Sequence, residues 1–248
     1  MARVLIAGES WQVFSIHTKG FDSFFTADYG EGVAGFRSAL ESAGHVVEFQ
    51  PNHVAAKQFP DTDRALSEFD VVVLSDIGSN TLLLPSETFV KAEVRPNRLV
   101  VLRDWVAGGG GLAMIGGYLS FQGIEGKANY RSTALAEVLP VELEPGDDRQ
   151  EAPDGAVGRV AAAEHPITVG ISGEWPELLG FQRLVAKEDS HVLATIGEWP
   201  LLVVGRFGEG RVLAFASDIG PHWAPRSFTE WPGYTRLWSQ AITWLACG

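Results

Sequence analysis

Short apolar runs punctuated by glycine recur along the chain. Val4-Leu5-Ile6-Ala7 stops at Gly8-Glu9 and predicts a strand. A long polar and aromatic stretch from Glu9 to Gly30 follows and reads as a loop, of a length that commonly serves as a lid or binding loop. Val33, Phe36 and Leu40 recur at helical spacing within Glu31 to Ala43, and Gly44 closes that helix. His45 to Phe49 predicts a second strand and Asp63 to Phe69 a short helix. Val71 to Leu74 is apolar throughout, the pattern of a strand covered on both faces. Pro96 takes the first position of a helix reaching Ala107, and Leu112 to Ile115 predicts the next strand. Val192 to Ile196, Leu201 to Phe207 and Val212 to Ala216 predict three more, the last two joined by a turn at Gly208-Glu209-Gly210. Trp231 to Ala246 predicts a final helix with Leu237, Ile242, Trp244 and Leu245 facing inward.

The alternation of strand and helix predicts an α/β fold, a doubly wound, flavodoxin-like, mostly parallel sheet. The later strands predict antiparallel neighbours at one side of it. Pro, Gly and acidic residues cluster from Pro140 to Gly158, which predicts a surface excursion around 140–190. One domain over 1–248 is expected.

In an open α/β sheet, ligands bind beyond the carboxyl ends of the strands. That rule selects Gly8-Glu9-Ser10-Trp11, Ser75-Asp76-Ile77-Gly78-Ser79-Asn80, Gly116-Gly117-Tyr118-Leu119-Ser120 and Ser217-Asp218-Ile219-Gly220-Pro221-His222-Trp223. Each mixes glycine with polar groups, which turns also do; four at one rim predict a shared polar pocket lined by Glu9, Asp76, Tyr118, Asp218 and His222. Gly108 to Gly111 precedes a strand, so it lies at the other end of the sheet. It lacks the Lys-Ser/Thr ending of a P-loop and the strand–glycine–helix order of a dinucleotide fingerprint, so neither ATP nor NAD is supported.

Within 248 residues, 46% are hydrophobic, enough for a sizeable core and incompatible with global disorder. Lys plus Arg number 19 against 31 Asp plus Glu, a net charge of −12. A surface that negative repels phosphate backbones and anionic lipids, so no nucleic acid and no membrane surface is expected as a partner. No apolar run approaches the roughly 18 residues of a membrane span, and the first is too short for a signal peptide. The one cysteine, Cys247, permits neither an intrachain disulfide nor a cysteine metal cluster. These features predict a cytoplasmic protein.

Imidazole is the side chain suited to proton transfer near neutral pH, and His222 could work with Asp218 or Glu9 as an acid/base pair; the alternative is a hydrogen-bonded structural histidine beside Trp223. Ser120, without an evident base, reads as a helix cap. His17 and Lys19 sit in the long first loop, where Lys19 would neutralise an anionic ligand or remain solvated. No compact spacing joins Glu9, His17 and Asp76 around a metal, and no cofactor is expected. The cluster Asp147-Asp148-Arg149-Gln150-Glu151 reaches over the pocket, pairs with a neighbouring subunit or is solvated. Trp11 and Trp223 flank the site, as aromatic faces suit sugar rings, while Trp238 and Trp244 read as core. Phe24, Phe25 and Phe228 suggest a buried lid or a homo-oligomer contact.

The block Gly109-Gly110-Gly111-Leu112-Ala113-Met114-Ile115-Gly116-Gly117-Tyr118-Leu119-Ser120-Phe121 resembles the putative glutamine amidotransferase family. Ser75-Asp76-Ile77-Gly78 and Asp218-Ile219-Gly220-Pro221-His222-Trp223 carry the same resemblance. His165-Pro166-Ile167 and Gly208-Glu209-Gly210-Arg211-Val212 are similar to ThuA-like relatives linked to sugar metabolism. The resemblance implies a class I glutamine amidotransferase-like fold over the whole chain. Its chemistry needs a Cys on a strand-to-helix turn, a His, and a Glu two residues beyond that His. Here the turn reads Gly116-Gly117-Tyr118, and Ala224 stands two residues past His222.

Three readings follow. The first is a protein of this fold without glutaminase chemistry that binds a small polar metabolite, such as a carbohydrate derivative. Its site would use Glu9, Trp11, His17, Lys19, Asp76, Asn80, Gly117, Tyr118, Ser120 and Trp223. The second is a hydrolase or isomerase using His222 with Asp218 or another nearby carboxylate. The third is a non-catalytic scaffold or regulatory subunit.

Overall fold

A computed structural model describes residues 1–171 and 173–247. The strands are β1 (Arg3–Gly8), β2 (Ser10–Lys19), β3 (Asp22–Glu31), β4 (Val46–Gln50), β5 (Val71–Ser75), β6 (Gly111–Ile115), β7 (Val141–Glu142), β8 (Arg149–Val160), β9 (Glu174–Gln182), β10 (Val185–Ala186), β11 (His191–Ile196), β12 (Trp199–Phe207) and β13 (Gly210–Phe215). The α-helices are α1 (Ala34–Ser42), α2 (Asn52–Gln58), α3 (Asp63–Leu66), α4 (Ser79–Leu83), α5 (Ser86–Phe89), α6 (Arg98–Ala107), α7 (Leu135–Val138), α8 (Arg226–Thr229) and α9 (Pro232–Leu245).

A nine-stranded sheet runs in the order β4-β1-β5-β6-β13-β12-β11-β8-β9. β4, β1, β5, β6 and β13 are mutually parallel. From β13 outward every neighbour is antiparallel. β13 is therefore the seam between the two halves. The central parallel strands β5 and β6 are short and fully buried, as strands covered by helices must be, while β4 at the edge is partly exposed. α1 and α9 pack together on one face, while α2, α4 and α6 contact one another on the other. The fold is the mixed α/β sheet the alternation predicts. No helix among the described residues is long and apolar enough to cross a membrane.

Several expectations are corrected. Residues 140–190 are not simply a surface excursion: β8 and β9 complete the far edge of the sheet. Their Gly, Pro and acidic content reflects an edge exposed on one side, where apolar runs are not required. The first loop is instead the hairpin β2–β3, paired from Ser10↔Glu31 to Lys19↔Asp22 as a separate two-stranded sheet. Phe24 and Phe25 lie on it, exposed, whereas Phe228 is fully buried against Phe215, Trp175 and Tyr234. Pro96 does not open α6. The Asn97 side chain caps it, accepting from the amides of Leu99 at 3.0 Å and Val100 at 3.3 Å, and Pro96 precedes the cap. Trp244 is half-buried, with the Arg211 guanidinium 4.9 Å from its ring centre.

The sheet's first strand ends at a position only glycine fits. Gly8 has φ +116°, and a Cβ there would run into the Ser75 carbonyl of the adjacent parallel strand. Gly8→Ala should therefore destabilise the protein by about 2–5 kcal/mol, from backbone strain plus overpacking. Urea denaturation checks this: a midpoint within error of wild type would show that the strand end relaxes freely.

Candidate functional site

The ends of β1, β5, β6 and β13 meet at one edge of the sheet. Glu9 follows Gly8 in the left-handed region, φ +44°. Its amide donates to Ser75 O at 2.7 Å and its carbonyl accepts from the Gly32 amide at 3.1 Å. The side chain turns inward, where Oε2 accepts from the Ser75 hydroxyl at 2.6 Å. Oε1 lies under Gly32 and Gly220; a Cβ on Gly32 would strike it, and one on Gly220 would sit 3.2 Å away. Bare backbone thus roofs this carboxyl, which is 1% exposed.

Asp76 repeats the conformation at the end of β5, φ +43°. Its Oδ1 accepts from the Leu119 amide at 2.6 Å, and its own amide donates to Ser120 Oγ at 3.1 Å. The turn after β6 therefore wraps around Asp76. Gly117 permits this: it has φ +136°, and a Cβ would come within 3.0 Å of the Asp76 side chain. Gln182 Nε2, from β9, donates to the Gly117 carbonyl. Asn52, at the start of α2, donates through Nδ2 to the carbonyls of Ser10 at 2.6 Å and Asp76 at 3.3 Å.

Asp218 follows β13 and is fully buried. Its Oδ1 accepts from the amides of Ile219 at 2.7 Å and Gly220 at 3.2 Å, and Oδ2 has no partner among the described residues. The Tyr234 hydroxyl, from α9, donates to Ile219 O at 2.8 Å. Held at both ends, this turn projects His222, exposed and with φ +88°, into an aromatic group. Its ring lies 4.8 Å from Trp11 and 5.7 Å from Tyr118, and Tyr118 lies 5.5 Å from Trp223. β8 braces the group from outside: the Arg149 guanidinium sits 4.9 Å over Tyr118, and Trp223 Nε1 donates to Glu151 Oε2 at 3.0 Å.

Three carboxyls share one buried neighbourhood, so each holds its proton more tightly. Burial, with the nearby Asp76 charge, pushes Glu9 up to about 8. Burial raises Asp218 well above the usual carboxylate range, with Glu9 and Asp76 adding to it. Asp76 is also raised by burial, but the Leu119 amide and the neighbouring His222 oppose the shift.

Two cavities adjoin this group, one at His222 and one at Trp11. One, about 440 Å³, lies beside Gly32, Gly220, His222, Arg226 and Thr229. The other, about 340 Å³, lies between the hairpin base and α2, lined by Trp11, Tyr29, Gln12, Asn52, His53 and Thr81.

Of the residues selected from the sequence, Glu9, Trp11, Asp76, Gly117, Tyr118, Ser120, Asp218, His222 and Trp223 come together here. Glu9, Ser120 and Asp218 are closed off from solvent and hold turns. His17 and Lys19 lie near the outer end of the hairpin, with His17 stacked 4.6 Å from Phe24. At about 3.3 Å per residue, His17 is roughly 20 Å along the strand from Trp11. Asn80 is exposed on α4, away from the aromatic group, and uses its carbonyl to accept from the Leu84 amide. Asn52 is not legible as a site residue in the sequence because Pro51-Asn52-His53, directly after β4, lacks the glycine that marks the other strand ends. Cys247 is exposed at the far end of α9, where Trp244 O meets Arg211 at the start of β13.

A family model described as putative glutamine amidotransferase matches residues 3–247. Two cytoplasmic proteins of Salmonella typhimurium are similar over 98% of this chain, at 45% and 48% identity. They are covered over 98% and 99% of their own lengths, each with a TM-score of 0.95. A putative ThuA-like protein from Parabacteroides merdae shares the fold at 14% identity and TM-score 0.55, over 98% of this chain and 89% of its own. No curated protein matches significantly.

Glu9 makes stability depend on pH in a stated direction. The native state keeps its proton up to about pH 8, whereas the unfolded chain releases it near the ordinary glutamate value of 4.5. Between those values the folded form binds more protons, so this contribution is full below the unfolded value and lost as pH rises through the folded one. Glu9→Gln should flatten the decline. Denaturation midpoints measured from pH 4.5 to 8.5 test it, and an unchanged slope in the variant would remove Glu9 as the cause.

Proposed function

The chain belongs to the putative glutamine amidotransferase family, and from that premise we propose that it binds a small polar metabolite, a carbohydrate derivative foremost, without hydrolysing glutamine. The observation that carries the reading is the aromatic group at the strand ends. Trp11 and Tyr118, half-buried, offer ring faces, with Tyr118 backed by the buried Trp223, and Asn52, His53 and Gln12 offer donors and acceptors around the adjoining cavity. Apolar faces beside a few fixed polar groups suit a sugar, whose C–H faces stack while its hydroxyls hydrogen-bond.

The rejection of glutaminase chemistry rests on the missing thiol. The covalent route needs a cysteine at the turn after β6, and that turn is Gly116-Gly117-Tyr118. Cys247 stands at the opposite pole of the sheet, and Ala224 replaces the carboxylate that would orient His222. A cytoplasmic setting agrees with the two Salmonella relatives.

A second reading, acid–base chemistry as a hydrolase or isomerase, draws support from Asp76. It is near enough for its charge to interact with His222, and burial raises its proton affinity. It is a better partner for His222 than Asp218 or Glu9, which are closed off from solvent.

Thermal-shift measurements against sugars, sugar acids and amino acids test the reading. A ligand at about 100 times its Kd adds about 2.7 kcal/mol, which for a chain of this size raises Tm by about 5–10 °C. The shift should disappear in Trp11→Ala. Ammonia release from glutamine that is lost in His222→Ala would overturn the proposal, as would stabilisation by amino acids alone. Turnover of a stabilising sugar, abolished in His222→Ala with binding retained, would favour the second reading.

A further inference from the structure

The hairpin β2–β3 has one apolar face. Residues paired across an antiparallel ribbon share a face, and so do alternate residues along each strand. Phe14 pairs with Ala27 and Ile16 with Phe25, and they are bracketed by the uncharged pairs Gln12–Tyr29 and Thr18–Ser23. The other face is mixed: it carries Trp11, Val13 and Phe24 together with Asp28, His17 and the Lys19–Asp22 pair. On the apolar face, Phe14, Ile16 and Phe25 are 73%, 68% and 73% exposed. A lone two-stranded ribbon is at best marginally stable in water, and this one spends its apolar side on solvent.

A second apolar surface lies in the segment after α4. Phe89, at the end of α5, and Val90 and Val94 after it are 75%, 74% and 99% exposed. Tyr29 of the hairpin and Thr81 of α4 line one cavity, and the segment leaves α4 just beyond Thr81; neither apolar surface covers the other.

We propose that the apolar face of β2–β3 docks on the 84–94 segment of a second copy of this chain, which returns the same contact in a two-fold dimer. Reciprocal exchange covers both surfaces at once, with each copy supplying a ribbon and a seat. At about 150–250 Å² per aromatic side chain, the six residues offer roughly 800 Å² per copy, which is what a standard stable interface buries per partner. Charge favours the same occupant. Each copy carries −12, and the ribbon face, which bears no charge, meets the segment, which carries Glu87, Lys91 and Glu93, without like-charge repulsion between the two surfaces. A foreign partner recognised through charge would find no complementary groups on this face.

Sedimentation of the purified full chain over a range of concentrations tests the proposal. Wild type should be a dimer. Phe14→Asp and Val94→Asp, both solvent-facing in one copy, should each weaken it about tenfold or more while leaving the far-ultraviolet circular dichroism unchanged. Mixing the two variants should restore part of the association, because the mixed dimer keeps one unaltered ribbon on one unaltered segment. A wild-type chain that stays monomeric overturns the proposal, whatever else captures the ribbon. A dimer indifferent to both substitutions, or variants that do not recover on mixing, overturns it too.

Discussion

The carboxyl of Glu9, closed in beneath two glycine backbones, is the constraint on which the rest of the strand-end edge depends. It binds the Ser75 hydroxyl at the end of β5 and lies under Gly32, which leads into α1, and under Gly220, which leads to His222. Four stretches far apart in sequence are thereby fixed around one side chain. The cost is desolvation of an ionisable group, and the site offsets it by keeping the carboxyl neutral. Asp218, buried nearby with one unpartnered oxygen, shares that condition. Larger residues at 32 or 220 would meet this carboxyl directly, so the glycines there are steric requirements.

Above this closed layer the edge becomes open and aromatic, and both halves of the sheet build it. The parallel half supplies the turns that carry Asp76 and Tyr118. The antiparallel half supplies Gln182, which holds the Gly117 carbonyl, and Arg149 and Glu151, which brace Tyr118 and Trp223. The extra strands are therefore more than an enlargement of the core. They set the positions of the Tyr118 and Trp223 rings.

The parallel core was legible in the sequence because its strands are continuous apolar runs, such as Val71 to Leu74, each ended by glycine or a polar residue. Their parallel, doubly wound arrangement follows from the alternation of strand and helix, and the strand-end rule selects Glu9, Asp76, Tyr118 and His222. β8 stayed hidden because Arg149-Gln150-Glu151-Ala152-Pro153 has neither alternation nor an apolar run; it is held by backbone pairing to β9 and β11. The hairpin was missed for a related reason. Its alternation, Phe14 and Ile16 against Ser15 and His17, is weak, and period-two patterns in a ribbon outside the core are not reinforced by burial. His17 and Lys19 were assigned to the pocket because a loop can fold back, whereas a paired ribbon carries its far end away. The division between sealed carboxyls and an accessible Asp76 depends on turn conformations that composition does not encode.

The lone thiol has a practical consequence. Cys247 is exposed beside the amino ends of β6 and β13, at the pole opposite the rings of Trp11 and Tyr118. A maleimide dye or a surface linker coupled to it would mark each molecule once and orient every molecule alike. The rim around His222 would then face bulk solution, ready for single-molecule or immobilised-chip work without further engineering.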